Sequence, residues 1–328
     1  MQLLLSAAAL ERIKDRIAPF AGDLDIVTIA GPKTFQRDGK DIPDSEVLPD
    51  IVWTTLDAYG AGLLGAMFKV ILGPAKISWM QTFNAGLDTP VFKQIMAKGI
   101  RLTKSNAQGV AIAEYVVAHA ISLIVPIDLQ RDQQDQKIWQ FTPYREVSQS
   151  RWTLIGYGAI GREIAKRIKP WGAHLSVVRR SVEPDDLADA VVATDALPGL
   201  LPQSDVVVLA CALNDETRGM VDAKFLSAMK PGSILINIGR GGLIDEDALK
   251  FSLDKDQPAH AVLDVFQTEP LPTDHWVWEH RKVRVTAHTS HSGAGTAGRG
   301  DDLFVTNLEL FLAGKPLLHE AAPWEVGL

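Results

Sequence analysis

The chain has a single cysteine, Cys211, among 328 residues. No intrachain disulfide is open to it, which fits a reducing compartment. An excess of positive charge is also missing. There are 33 Lys and Arg against 40 Asp and Glu, a formal net charge of −7, whereas a general nucleic-acid binder carries a basic face. Long apolar runs are absent too. The nearest, residues 111–127, is interrupted by Glu114 and His119 and ended by Pro126 and Asp128, short of a membrane span. The apolar residues 1–10 have no basic region ahead of them and run straight into Glu11, so they read as a strand leading into a helix rather than as a secretory signal. There is no repeat of solenoid period and no long low-complexity tract. These absences lead to the expectation of a cytoplasmic protein with no nucleic-acid, membrane or metal partner.

What remains is ordinary globular material, 46% hydrophobic and 22% charged, in a length that suggests two domains. Strand-like segments at 2–5, 25–30, 50–54, 77–83 and 100–103 alternate with helical ones at 7–17, 62–71 and 90–97. That alternation implies a parallel sheet covered on both faces. Ser6 has the chemistry to cap the first helix. A long helical run begins at Asn106 and carries apolar residues through Ile124. Gln130–Gln140 is polar and reads either as a helix or as an exposed arm. A second parallel sheet follows, with strands at 205–210, 233–238, 259–264 and 283–286. A last helix, 302–312, stops at Gly314 with Pro316 beyond it.

The second unit opens on Gly156-Tyr157-Gly158-Ala159-Ile160-Gly161. A strand ends at Ile155, Ile160, Ile164 and Ile168 recur at helical spacing, and 174–178 reads as the next strand. In this strand–turn–helix setting the three glycines form a dinucleotide fingerprint. The first permits a sharp turn, the second lets backbone approach a pyrophosphate, and the third lets the helix pack closely. The helix N-terminus then offers N–H groups to phosphate. A tight turn that binds nothing is the bland alternative.

Three residues of complementary chemistry sit just past later strand ends, where open parallel sheets bind ligands. Arg240, flanked by glycines, can grip a carboxylate with two N–H bonds; alone it could equally be a surface arginine. Glu269 and His288 can form a carboxylate–imidazole pair, which orients the ring and suits it to proton transfer near neutral pH.

With these residues in view, the chain resembles the D-isomer-specific 2-hydroxyacid dehydrogenases. The resemblance rests on the glycine turn and on Glu216-Thr217-Arg218-Gly219-Met220-Val221-Asp222. It rests also on Met229-Lys230-Pro231-Gly232 leading to Asn237 and Arg240-Gly241, on Ile244-Asp245-Glu246-Asp247-Ala248-Leu249, on Leu263-Asp264-Val265-Phe266 with Glu269-Pro270, on His288, and on residues 307–317. In the first hundred residues Asn84-Ala85-Gly86-Leu87-Asp88 is the main marker. The resemblance implies two doubly wound α/β domains. A Rossmann nucleotide domain, 104–287, would be inserted into a flavodoxin-like substrate domain, 1–103 and 288–328, with hinges near 104 and 288. It implies that Arg240 binds the substrate carboxylate and keto oxygen, that His288 is the general acid and base, and that Glu269 pairs with it. Ala85, Gly86 and Leu87 would hold the substrate carboxylate through backbone N–H groups. Cofactor contacts are implied at the glycine turn and at Cys211, Ala212, Ile238, Gly239 and Asp264. A homodimer formed through the second unit and its long helix is implied as well.

The chain departs from that pattern in places. Ala287 stands where the family usually has proline, and Gln267 replaces a frequent glutamate. His291 is open to two readings, a substrate contact or a solvated loop residue. Trp276 and Trp278 could line a pocket or simply pack, and 53–56 are the expected walls of the substrate pocket. Where NAD-binding units place an acid after the second strand, this chain has Arg179, Arg180 and Ser181. That set suits a 2′-phosphate and leads to the expectation of NADPH over NADH, unless Arg179 stacks on adenine or faces solvent. The function expected is reduction of a small 2-keto acid, of the glyoxylate or hydroxypyruvate reductase kind. The competing readings are a nicotinamide-nucleotide-sensing binding protein on the same fold and a relative of formate dehydrogenases.

Overall fold

The computed structural model describes residues 1–328. It divides into two compact units, Met1–Ala107 with Ala294–Leu328, and Gln108–Gly293.

The first unit begins with β1 (Gln2–Ser6), α1 (Ala7–Ile17), β2 (Asp25–Gly31), β3 (Thr34–Arg37) and β4 (Lys40–Ile42). It continues through β5 (Ile51–Trp53), α2 (Leu56–Gly60), α3 (Leu64–Leu72), β6 (Trp79–Gln81), α4 (Pro90–Ala97) and β7 (Arg101–Thr103). Ser6 caps α1 as expected, its hydroxyl accepting from Ala9 N–H at 3.0 Å. The sheet order is β4-β3-β2-β1-β5-β6-β7. The five strands from β2 to β7 pair in parallel, and Ile51, Val52 and Trp53 of β5 are all buried, as strands covered on both faces must be. The β3–β4 hairpin adds an antiparallel edge that the alternation of strands and helices did not reveal. Its cause is local. Asp38 and Gly39 both take positive φ, 50° and 73°, in the two-residue turn that an Asp-Gly pair favours.

The second unit starts with α5 (Gly109–Ile124), α6 (Ile127–Asp135), β8 (Arg151–Ile155), α7 (Ala159–Ile168), β9 (His174–Val178), β10 (Ala190–Val192) and α8 (Leu197–Leu200). It ends with β11 (Val206–Leu209), α9 (Ala223–Ala228), β12 (Ile234–Asn237), α10 (Glu246–Leu253), β13 (His260–Leu263) and β14 (Val283–Val285). All seven strands are parallel in the order β10-β9-β8-β11-β12-β13-β14. The Gln130–Gln140 stretch is helix up to Asp135 and irregular, exposed chain after it. No single helix is long and apolar enough to cross a membrane.

The chain then returns to the first unit with α11 (Thr296–Leu312). This helix begins six residues earlier than the sequence suggests and runs through Gly298 and Gly300. Tertiary contacts override the helix penalty of glycine there. Arg299 donates to the Ala107 carbonyl at 2.8 Å, and Asp301 pairs with Arg12 of α1 at 2.9 Å. Farther along, the buried Asn307 bonds Gln81 of β6 at 2.9 Å and both donates to and accepts from Leu318 backbone. Trp53, expected as a pocket wall, is instead core. It is 3% exposed and stacks on Phe304 at 4.1 Å, while Thr54 and Thr55 are also buried.

Asp205 ties the lower end of the second sheet. Its carboxylate accepts from Arg151 N–H at 2.8 Å and Lys230 Nζ at 2.7 Å, and pairs with Arg145. Burial works to raise its pKa, but the bonds from Lys230 and Arg151 and the charges of Lys230 and Arg145 outweigh it, so the net shift is downward. A carboxylate depressed on folding stabilises the protein above the unfolded aspartate pKa and loses that contribution as pH falls through the folded value. Asp205→Asn should therefore cost about 1–3 kcal/mol in urea unfolding at pH 7, with the gap to wild type narrowing toward pH 3. A gap independent of pH would contradict this.

Candidate active site

The glycine turn between β8 and α7 has a distinct geometry at each glycine. Gly156 has φ 97°, and a Cβ there would lie 2.5 Å from Cys211 N, so the turn is pressed against the loop after β11. A Cβ on Gly161 would lie 2.8 Å from the Gly156 carbonyl oxygen, which fixes the helix on its own turn. At Gly158, which caps α7, a Cβ would meet nothing within 4 Å. The backbone there is open beside a helix N-terminus, and this fits a dinucleotide pyrophosphate held by N–H groups. Ala159 and Ile160 supply the first turn of that helix.

Tyr157 does not offer its ring to a ligand. It is 8% exposed and its hydroxyl donates to Asp185 at 2.9 Å. Burial first, then that bond and the Asp185 charge, push its pKa up to about 12. Arg162 also pairs with Asp185. Past the end of β9, Arg179 lies over the Tyr157 ring at 5.6 Å and donates to the Glu183 carbonyl, whereas Arg180 and Ser181 are exposed. Of the carboxylates in this loop, Asp185 is engaged by Tyr157, Arg162 and Leu187 N–H, whereas Glu183 and Asp186 are exposed. Cys211 is half-buried, its thiol pKa raised to about 11 by burial, so it is a packing residue rather than a reactive thiolate. Ala212 is exposed beside it.

Arg240, Glu269 and His288 follow β12, β13 and β14, three adjacent strands. The arginine turn is stapled by Asn237, which is fully buried. Its amide donates to the Arg240 carbonyl at 2.9 Å, and its oxygen accepts from Gly239 N–H at 3.1 Å. Arg240 itself donates to the Gly239 carbonyl at 2.8 Å. Ile238 is buried, and a Cβ on Gly239 would lie 2.9 Å from the Cys211 carbonyl oxygen. The next residue couples this turn to its neighbour, because a Cβ on Gly241 would lie 1.9 Å from the Phe266 carbonyl carbon.

Phe266 N–H in turn holds Oε1 of Glu269 at 2.9 Å, and Oε2 of Glu269 lies 2.8 Å from Nδ1 of His288. A carboxylate accepts, so the proton of this pair sits on Nδ1 and Nε2 is left for chemistry. The His288 and Glu269 side chains are 44% and 36% exposed, accessible to a small ligand. Gln267 braces the same loop, its amide donating to the Ile244 carbonyl at 2.8 Å.

Asp264, expected as a cofactor contact, is occupied elsewhere. At 1% exposure its carboxylate accepts from Thr286 Oγ1 at 2.6 Å, from Thr289 N–H at 2.8 Å and from Ser290 N–H, while its carbonyl accepts from His288 N–H at 2.8 Å. It shapes the histidine loop. Asn237 and Asp264 are the residues whose roles the sequence reading missed. Their only signal was a small polar side chain at the last position of, or just after, a buried apolar strand.

In the first unit, Leu87 is 6% exposed and packed in the core, so any ligand contact from it is confined to backbone. Asn84 anchors the loop, its N–H bonding Thr82 and its carbonyl taking Ser105 N–H at 2.9 Å. The N–H groups of Ala85, Gly86 and Leu87 have no acceptor within the protein. Elsewhere in the second unit, Trp276 lines a cavity of about 460 Å³ with Arg218, Glu246 and His275, whereas Trp278 is exposed and bonds the Pro272 carbonyl.

Comparison with known proteins agrees with this geometry. Residues 117–290 match the D-isomer specific 2-hydroxyacid dehydrogenase, NAD binding domain family. Glyoxylate/hydroxypyruvate reductase A of Arabidopsis thaliana is 31% identical over 84% of this chain and 88% of its own. A D-isomer specific 2-hydroxyacid dehydrogenase family protein from Aeromonas salmonicida superposes with a TM-score of 0.78 at 29% identity, covering 98% of this chain and 99% of that one. A D-isomer specific 2-hydroxyacid dehydrogenase from Xanthobacter autotrophicus, solved with NADPH and MES, has a TM-score of 0.79 at 23% identity over 99% of both chains. The chain spans only 54–60% of the length of the mycobacterial D-3-phosphoglycerate dehydrogenases that it matches at 27% identity. The protein belongs to the D-isomer specific 2-hydroxyacid dehydrogenase family, a family of NAD(P)-dependent oxidoreductases acting on small 2-keto and 2-hydroxy acids.

Two glycines should separate fold from binding. Gly241→Ala forces a clash of backbone on backbone and should lower stability by about 3 kcal/mol. Gly158→Ala should leave the melting temperature unchanged while weakening dinucleotide binding, read by fluorescence titration. Equal binding by the Gly158 variant would argue against the cradle.

Proposed function

We propose that this chain is an NADPH-dependent reductase of small 2-keto acids, of the glyoxylate or hydroxypyruvate kind, yielding D-2-hydroxy acids. The observation that carries the reading is the His288–Glu269 pair at 2.8 Å, one strand away from the stapled Arg240 turn. A planar guanidinium grips the substrate carboxylate and polarises its keto oxygen. The open N–H groups of Ala85, Gly86 and Leu87 give the first unit carboxylate-binding donors of its own. His288 delivers the proton to the keto oxygen during reduction and recovers it during oxidation, with Glu269 keeping the ring oriented. A nicotinamide cofactor held at the glycine turn supplies the hydride. The unit containing that turn is assigned the dinucleotide, and the other unit the substrate.

Support for the phosphorylated cofactor comes from the loop after β9. It presents Arg179, Arg180 and Ser181 where NAD-binding units place an acid, and Asp185 is already engaged by Tyr157 and Arg162. The Xanthobacter relative was solved with the same cofactor. Oxidation of NADPH and NADH with glyoxylate, hydroxypyruvate, pyruvate and phenylpyruvate tests the proposal. A higher kcat/KM with NADPH and a preference for the smaller acids are expected. His288→Ala should lose about 100-fold or more in kcat with NADPH affinity retained. NADPH binding without turnover on any acid would instead mark a nicotinamide-nucleotide-sensing protein.

We further assign a homodimer, formed through the second unit. Its arm after α5 exposes Leu129, Ile138, Trp139, Phe141 and Tyr144, with Trp139 fully exposed and Phe141 at 89%. Such a patch is what a partner surface covers. Light scattering should give twice the chain mass, and Trp139→Asp with Phe141→Asp should give the monomer. A monomeric wild type would refute the assignment.

A further inference from the structure

β14 is the last strand of its sheet, so only β13 pairs with it and its exit is held by the sheet from one side. That exit carries His288, whose φ of 51° is a left-handed backbone that a residue with a side chain seldom adopts. Such a conformation persists only where its surroundings over-determine it. A second hold comes from α5. Arg284 and Thr286 lie two residues apart along the strand and its continuation, a spacing that turns side chains to one face. Tyr115, His119 and Ser122, at i, i+4 and i+7, share one face of the helix. The two faces meet in register. Arg284 donates to Ser122 Oγ and to the His119 carbonyl and pairs with Asp128 at 2.6 Å, while Thr286 Oγ1 meets the Tyr115 hydroxyl at 2.7 Å.

Chemistry fixes the direction of the protons. A threonine hydroxyl has one proton to give, and Thr286 gives it to the Asp264 carboxylate at 2.6 Å. Tyr115 therefore donates to Thr286. Burial pushes the Tyr115 pKa up to about 12, so this donor keeps its proton throughout the neutral range. The Asp264 oxygen that Thr286 reaches also accepts from Thr289 N–H at 2.8 Å, and the Asp264 carbonyl accepts from His288 N–H at 2.8 Å. A chain of one-way bonds thus runs from a core-facing helix, through Tyr115, Thr286 and Asp264, into the backbone of the histidine turn. We propose that Tyr115 and Thr286 are positioning residues for the reaction. Tyr115 locks the Thr286 hydroxyl onto Asp264, and Asp264 so oriented keeps His288 left-handed with Nδ1 on Glu269. Both act through Asp264 and His288 rather than on the substrate.

The inference rests on the reading of His288 as proton donor, and the test separates the two. Thr286→Val removes the hydroxyl, Thr286→Ser restores it, and Tyr115→Phe removes only the donor behind it. With NADPH and glyoxylate, Thr286→Val should lose roughly 10–100-fold in kcat, the cost of a slightly misplaced reacting group, with little change in KM for either substrate. Thr286→Ser should recover most of that loss. Tyr115→Phe should lose less, roughly 3–10-fold, and should add nothing further to Thr286→Val. In ¹³C-histidine-labelled protein the His288 ring signal, assigned by its loss in His288→Ala, should move or broaden in Thr286→Val and return in Thr286→Ser. A valine variant with wild-type kcat and an unmoved His288 signal would overturn the proposal, as would a loss that serine does not repair or a fully additive double variant. Full turnover by His288→Ala would instead sink the proton-donor reading, and the ring signal would still decide whether Thr286 places the histidine. Should Thr286→Val not fold, Tyr115→Phe, which keeps its ring, carries the same two measurements: a lower kcat with a moved signal is expected, and wild-type values for both would refute the role.

Discussion

The second unit's chemistry hangs on one buried carboxylate. Asp264 sits just beyond the end of β13 with almost no exposure, and it takes three donors from the segment after β14. A buried charge is tolerable only when its lone pairs are filled, so this arrangement is all-or-none. If the loop left, the carboxylate would be stranded. The histidine is therefore placed by the cost of leaving its neighbour unsatisfied, rather than by contacts of its own ring. Tyr115 extends the network from α5, its hydroxyl 2.7 Å from Thr286.

Around that point the three post-strand loops fix one another. Asn237 sets the Arg240 turn, Gly241 lies against the Phe266 backbone, and the Phe266 N–H orients Glu269 toward His288. Every link but the last, the Glu269–His288 side-chain pair, is backbone to backbone or side chain to backbone, so little rotamer freedom remains for thermal motion to spoil. Preorganisation of this kind is what lets dipoles and donors stabilise developing charge without reorganising.

Much of this was legible in the sequence, for physical reasons. The buried parallel strands announce themselves as apolar runs, and β9 is found at residues 174–178 because its period and flanks are clean. The glycine turn is legible because the backbone geometry at Gly156 and Gly161 excludes other residues. The hairpin of β3 and β4 was signalled by Asp38-Gly39 but hidden by short, polar strands. The start of α11 was hidden because the glycines inside it argue against helix, and only contacts distant in sequence, such as Arg12 with Asp301, outvote them. Trp53 was misread for a related reason, since its stacking partner Phe304 lies some 250 residues downstream. In the candidate site, residue identity pointed to Arg240, Glu269 and His288. The work of Asn237 and Asp264 depends on which backbone atoms they reach, and residue type does not carry that information.

The strand order of the second sheet has a further consequence. The glycine turn lies at the end of β8, the third strand of the sheet. The loop proposed to read the 2′-phosphate lies to one side, past β9, and the three loops proposed to handle proton and carboxylate lie to the other, past β12, β13 and β14. The loop past β9 has contacts with Tyr157, Arg162 and Leu187, on the other side of β8 from the loops around His288. Its sequence can drift without disturbing the geometry of proton transfer. Such a layout is modular in the evolutionary sense: a lineage could exchange one redox currency for another by rewriting about ten residues, and inherit its chemistry intact.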